Sequence, residues 1–218
     1  MQLLACNLLP HGYWFYVTGY IPEGKDPRLV DAKLIKKYDA ALERSQRHRR
    51  KRAGYANIRY LRLDRFFVLL ATHGRHAFFE EEGPCIRDFR HVPLRIGGYS
   101  ISYRRGGRTR EKAIDRRWHS HVAIDRRRFV ELQAYFSEQA VRLSADRLAL
   151  EFYWLPFVPY APVRRQMFRC LRSVNRIRKQ AGKSPLPYKV LPLRRRTVRP
   201  FEPVGSKDQS VGDLRKVV

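Results

Sequence analysis

Acidic residues are scarce in this 218-residue chain: 20 Asp and Glu stand against 46 Lys and Arg, for a formal net charge of +26 and a pI near 10.8. Self-repulsion on that scale opposes compaction unless a polyanion neutralises it, and the common cellular polyanions are nucleic acids and anionic membranes. Cysteine is nearly as rare. Cys6, Cys85 and Cys170 are odd in number, far apart and without a CxxC pair, which argues against a disulfide framework and a cysteine zinc site and makes a reducing cytoplasm the expected compartment. Long apolar runs are also missing. The N-terminal MQLLACNLLPHGYWFYVTGYI is interrupted at Pro10, His11 and Gly12, well short of the roughly 20 residues that a membrane span needs. It lacks the basic and small-residue flanks of a signal peptide, so neither a membrane anchor nor a leader is expected. No P-loop, no GxGxxG before a helix, no GxSxG and no HExxH occurs, so no motif points to nucleotide, dinucleotide, serine-hydrolase or zinc-protease chemistry.

What the chain does have is 44% hydrophobic and 12% aromatic content, enough for one domain with a sizeable core. Of the 46 basic residues 35 are Arg, the side chain whose fork matches phosphate oxygens and guanine edges in pairs.

The pattern predicts an α+β fold: a single domain over residues 1–193 with a mainly antiparallel sheet of about five strands, followed by a flexible basic tail over 194–218. Residues 13–21 read as a first strand. A long helix is expected next, capped by Asp26 with Pro27 at its first position and ending near Gly54. ANIRYLRL and RFFVLLATH read as an antiparallel hairpin around Asp64, the second strand apolar on both faces and therefore central. An irregular connector is expected over 74–92. VPLRIGGYSISYRR and RWHSHVAI follow as two strands on either side of a basic turn whose Gly106 and Gly107 allow positive φ. Two or three C-terminal helices close the domain: one capped by Asp125 with Phe129, Leu132, Phe136, Ala140 and Leu143 on one face, and a last one burying Val163, Met167, Leu171 and Val174.

The last helix carries the most specific binding pattern, because Arg165, Arg169, Arg172, Arg176 and Lys179 recur at steps of four and three with no acidic residue between 162 and 183. A phosphate backbone is the expected contact. Two further basic patches come from Arg47, Arg49, Arg50, Lys51 and Arg52 and from the turn with Arg104, Arg105 and Arg108, and nearby Tyr55, Tyr60, Tyr99 and Tyr103 are candidates for stacking on unpaired bases. The expected partners are therefore DNA or RNA, together with other subunits of a nucleoprotein assembly or mobile element, and no membrane. Binding of this kind needs no cofactor.

WHSH raises a second reading. In a strand, alternation places His119 and His121 side by side on one face, opposite Trp118, Ser120 and Val122. That pair resembles the His-x-His element of the HUH single-strand endonucleases, a family of replication initiators, relaxases and small transposases, although Ser120 stands where the family prefers a bulky apolar residue. The resemblance implies Mg²⁺ or Mn²⁺ held by the two histidines and a helical tyrosine attacking a phosphodiester, with Tyr135, Tyr153 and Tyr160 as candidate nucleophiles. His73, His76 and Glu80–Glu82 also gather metal-capable groups, although an acidic run among arginines is most simply an internal salt-bridge partner.

Overall fold

The computed structural model describes residues 1–107 and 115–192, so Arg108 and the predicted tail lie outside the described residues. The fold is α+β with antiparallel sheets, as the pattern predicts. The strands are divided between two sheets, however, and the chain gathers into two compact units, Met1–Val122 and Ala123–Val218.

In the first unit a π-helical turn, Leu3–Leu8, leads into β1 (Tyr13–Tyr20). The expected long helix is two helices, α1 (Pro27–Lys37) and α2 (Arg44–Arg52). Burial decides the break: Tyr38 and Ala40 turn into the core at 1% and 5% exposure, and Asp39 takes φ 50° to let the chain reverse. Glu43 then restarts the helix, its N–H donating to Gln46 Oε1 at 2.9 Å. β2 (Ile58–Leu63) and β3 (Phe66–Thr72) form the predicted hairpin around Asp64 at φ 55°. The order β2-β3-β1-β4 makes β3 central, and Val68 to Ala71 are buried on both faces. One face meets Tyr38, Ala40 and Phe78, while on the other Tyr16 packs against Phe89, tilted at 38° with ring centroids 4.3 Å apart.

The connector is more regular than its composition suggests, with α3 (Ala77–Glu81), a 3-10 turn at Gly83–Cys85 and β4 (Arg87–Asp88) paired to β1. His76 caps α3 by accepting the Phe78 N–H at its Nδ1, 3.0 Å away. VPLRIGGYSISYRR is a hairpin, not one strand. Gly97 and Gly98, at φ 56° and 77°, turn the chain between β5 (Leu94–Ile96) and β6 (Tyr99–Arg105), the double positive φ that a two-residue hairpin loop needs. β6 also pairs with β7 (Trp118–Ile124). At that hairpin neither Gly106 nor Gly107 takes the expected positive φ. Gly106 instead makes room, since a Cβ there would sit 2.7 Å from the Asp115 carboxyl carbon.

The second unit holds α4 (Arg126–Arg142), α5 (Ala145–Trp154) and α6 (Ala161–Gln180). Asp125 caps α4, and Phe129, Phe136 and Ala140 are buried as predicted. Phe136 stacks on Phe152 of α5 at 4.0 Å. α6 buries Val163, Met167, Cys170, Leu171 and Val174 along one stripe, and Gly182 at φ 67° ends it. Burial pushes the Cys170 thiol up to about 12, so it packs as an apolar group without nucleophilic character. Two amides of α6 fix neighbouring chain: Gln166 holds both backbone groups of Ile124 at 2.8 and 3.0 Å, and Asn175 does the same for Leu186, whose N–H and C=O it meets at 2.8 Å each.

Candidate nucleic-acid interface

The α6 stripe is present as predicted. Arg165, Arg169, Arg172, Arg176 and Lys179 are all exposed, joined by Arg164, and none makes an ion pair among the described residues. At 3.6 residues per turn and 1.5 Å rise, the five positions lie within an arc of about 80° over about 21 Å of helix. The apolar face fixes the helix's rotation, so burying Met167 and Val174 is what points the arginines outward. One basic residue of this helix has the opposite role. Arg178 is 2% exposed and donates to the carbonyls of Ser184, Ala140 and Leu143 at 2.7, 2.9 and 3.1 Å. Two of those carbonyls belong to the end of α4, where the helix dipole favours a cation. Its position, two past Arg176 and off the stripe, was the sequence signal for burial.

The α2 patch divides. Arg44, Arg49, Lys51 and Arg52 are exposed, whereas Arg47 and Arg50 turn inward. Arg47 donates to the Leu42 carbonyl, and its own carbonyl accepts from Asn57 Nδ2 at 3.0 Å, which ties the helix to β2. Arg50 pairs with Asp39 at 3.1 Å. Arg47 and Arg50 are thus structural, and Arg49, Lys51 and Arg52 are the predicted residues left to meet a partner. Tyr55, 44% exposed, lies beneath the guanidinium groups of Arg75 at 5.0 Å and Arg50 at 5.9 Å. Its backbone is pinned at Gly74, where φ is 137° and a Cβ would meet Ala56 N at 2.5 Å. Of the other stacking candidates, Tyr103 is buried at 7% exposure and Tyr60 donates its hydroxyl to Asp31, which holds the phenol in its protonated form together with burial. Tyr99 is half-buried on β6.

At the β6–β7 hairpin, Arg104 and Arg105 are exposed, with Arg104 Nε donating to Ser102 Oγ at 2.8 Å. β7 alternates as predicted, His119 and His121 on one face and Trp118, Ser120 and Val122 on the other. His119 Nε2 lies 2.7 Å from Asp115 Oδ2. The Arg117 N–H and His119 together hold the Asp115 carboxyl below its usual range.

The candidate tyrosines belong to the second unit. Tyr135 on α4 donates to Glu151 at 3.1 Å, and that carboxylate raises its pKa, the direction opposite to nucleophile activation. Tyr153 is exposed on α5, and Tyr160 is the residue before α6. The acidic run is an internal partner: Glu81 pairs with Lys37 at 2.6 Å, and Tyr38 donates to Glu81 and Glu82 at 3.1 and 2.5 Å. Burial and Glu82 push Tyr38 up to about 12. Among the described residues no group of three or more His, Cys, Asp or Glu side chains gathers to hold a metal, and no helix is long and apolar enough to cross a membrane. No known protein family, curated protein or solved structure matches this chain.

Proposed function

We propose that this protein binds nucleic acid by its phosphate backbone, with α6 as the principal contact and the outer face of α2 and the β6–β7 hairpin as further contacts, within a nucleoprotein assembly. The observation that carries this reading is the α6 row: five exposed cations in one arc with no carboxylate partner among the described residues, on a helix whose opposite face is core. An ordinary solvated helix face mixes signs, because (i, i+4) pairs stabilise it and like charges at that spacing cost similar amounts. Neighbouring α4 does mix them, pairing Arg127 with Glu131 at 3.2 Å and Arg142 with Glu138 at 2.6 Å. A surface that tolerates repulsion along its whole length is suited to a partner that supplies regularly spaced negative charge. The test is fluorescence anisotropy with labelled single-stranded and duplex DNA and RNA over a salt series. Binding whose log affinity falls linearly with log salt supports the reading, and no binding to any of them at 50 mM salt overturns it.

The same-face histidines favour one second reading, a metal-dependent single-strand endonuclease using His119, His121 and Tyr135, Tyr153 or Tyr160. His119 suits part of a divalent-metal site, since an imidazole with a carboxylate on one nitrogen is oriented to use the other. A DNA-linked band on a denaturing gel with Mn²⁺, lost in His121→Ala, supports this reading, and no such band with any single strand removes it.

A further inference from the structure

The first unit contains a continuous row of stacked groups that the basic patches do not explain. Trp14 stacks on Tyr103 with centroids 6.0 Å apart and planes at 26°, and Tyr103 stacks on Trp118 at 5.7 Å and 17°. A guanidinium closes each end: Arg90 lies 4.6 Å from Trp14, and Arg105 lies 5.6 Å from Trp118. Three strands supply the rings, and the β1–β3 register slips by one residue at Trp14, as a bulge does when it re-aims a side chain. The Trp14 indole N–H donates to the Leu9 carbonyl at 3.2 Å, which fixes the inner ring.

The two ends differ in how firmly they are closed. Arg90 is held by Asp88 through Nε and Nη2 at 2.9 and 2.6 Å, and that pairing keeps Asp88 ionised against its burial. Its guanidinium is thereby held over the Trp14 ring. Arg105 is exposed and has no carboxylate partner among the described residues. Arg104, Arg116 and Arg117 are exposed beside it, and the nearby carboxylate, Asp115, is engaged by the Arg117 N–H at 2.9 Å and by His119. The outer end is therefore a half-buried indole, held flat by a buried tyrosine and covered by an exposed cation that has no carboxylate partner among the described residues, in a mouth rich in arginine.

We propose that Trp118 is a stacking site for one unpaired base, so that the partner is single-stranded nucleic acid; this rests on the nucleic-acid reading above. A base and a guanidinium compete for the same π face, and a displaced Arg105 is placed to fork the phosphate of the arriving nucleotide. A duplex offers no such face, because its bases are already paired and stacked.

The experiment uses the full chain and an unstructured oligothymidylate, with a hairpin duplex as comparison. In a Trp14→Phe/Trp154→Phe chain, which leaves Trp118 as the single tryptophan, the oligothymidylate quenches emission and the duplex does not. In the otherwise native chain, Trp118→Leu weakens oligothymidylate binding about 5- to 150-fold, the range for one base on one ring, while duplex binding moves less than about twofold. Trp118→Phe keeps most of the affinity. If Trp118→Leu does not fold, the quenching measurement decides alone. Absent quenching, or unchanged affinity in folded Trp118→Leu, shows that the row only joins strands and overturns the proposal, while salt-dependent binding through α6 still stands. Loss of all binding to every nucleic acid takes both readings down.

Discussion

Replacing Arg169 and Arg172 of α6 with alanine removes two of the five cations in the exposed row without touching the core, because both side chains are exposed and unpaired among the described residues. Alanine is the better helix former, and two like-charge neighbours disappear, so the variant should unfold at the same urea concentration as the parent or slightly above it. Its binding should change in a way that only phosphate contacts produce. Each neutralised phosphate contributes about 0.9 to the slope of log affinity against log salt on duplex DNA and about 0.7 on a single strand. Two lost contacts flatten the slope by about 1.8 or 1.4, so between 50 and 200 mM salt the defect relative to the parent shrinks about 12-fold on duplex or 7-fold on a single strand. The measurement is anisotropy at four or more salt concentrations for both proteins. A parallel slope refutes the reasoning even if affinity drops, since a salt-independent loss means that the arginines act through structure.

Arg178→Met keeps the side-chain stem but leaves the carbonyls of Ala140, Leu143 and Ser184 without their charged donor, and it should cost about 3 to 5 kcal/mol of stability in urea unfolding. A loss below about 1 kcal/mol would mean that water replaces the guanidinium. His76 should make stability pH-dependent. Desolvation and the Arg50 charge lower its pKa, outweighing Asp39 and Glu81, and its Nδ1 must stay unprotonated to accept from Phe78. Between that lowered value and the ordinary one near 6.5 the unfolded chain binds more protons, so stability is lost as pH falls through this window. His76→Asn keeps a capping side chain without the titration. Urea midpoints that fall in parallel from pH 7.5 to 5 for the two proteins would show that His76 is not the group responsible.

Periodicity made the second unit legible: α4 and α6 lie where their apolar stripes place them, and the same stripes dictate which arginines face outward. The long helix failed because the apolar residues that suggested it, Val30, Leu34 and Tyr38 at steps of four, carry no mark of where the chain stops being helical. Tyr38 belongs to the core of the first unit rather than to a helix face, and tertiary burial overrode local propensity there. The reading of VPLRIGGYSISYRR as one strand failed differently, because two glycines between apolar alternations are a hairpin signal that the sequence did carry and the reading passed over. For the site, residue type told which side chains are cationic but not which are already spent. Arg47 and Arg50 look identical to Arg49 and Arg52 until their carbonyl and carboxylate partners are known, whereas Arg178 is set apart by falling on the apolar face of α6. The row from Arg90 to Arg105 draws on residues 14, 90, 103, 105 and 118, too far apart in the chain for any spacing rule to join them.

The way the fold spends its few carboxylates gives the charge surplus a location. Asp31 holds Arg62 at 2.9 Å, Asp39 holds Arg50, Glu81 holds Lys37 and Asp88 holds Arg90. In three of these pairs the cation also lies against its own packing partner: Arg50 over Tyr55, Lys37 over Tyr38, and Arg90 over Trp14. These four acids hold cations that pack against the first unit, whereas the exposed pairs along α4 add little stability by themselves. Among the described residues the outer face of α2 and the α6 row receive none, and the β6–β7 hairpin receives Asp115. A chain selected only for solubility would scatter its 20 acids among its 46 bases to relieve repulsion. Unneutralised charge on these three surfaces costs stability in isolation, and on the nucleic-acid reading that cost is offset when a polyanion occupies them. Phosphate binding therefore predicts that nucleic acid raises the protein's melting temperature at low salt and does so less as salt rises, whereas a merely solvated basic surface predicts that added salt alone stabilises it as much.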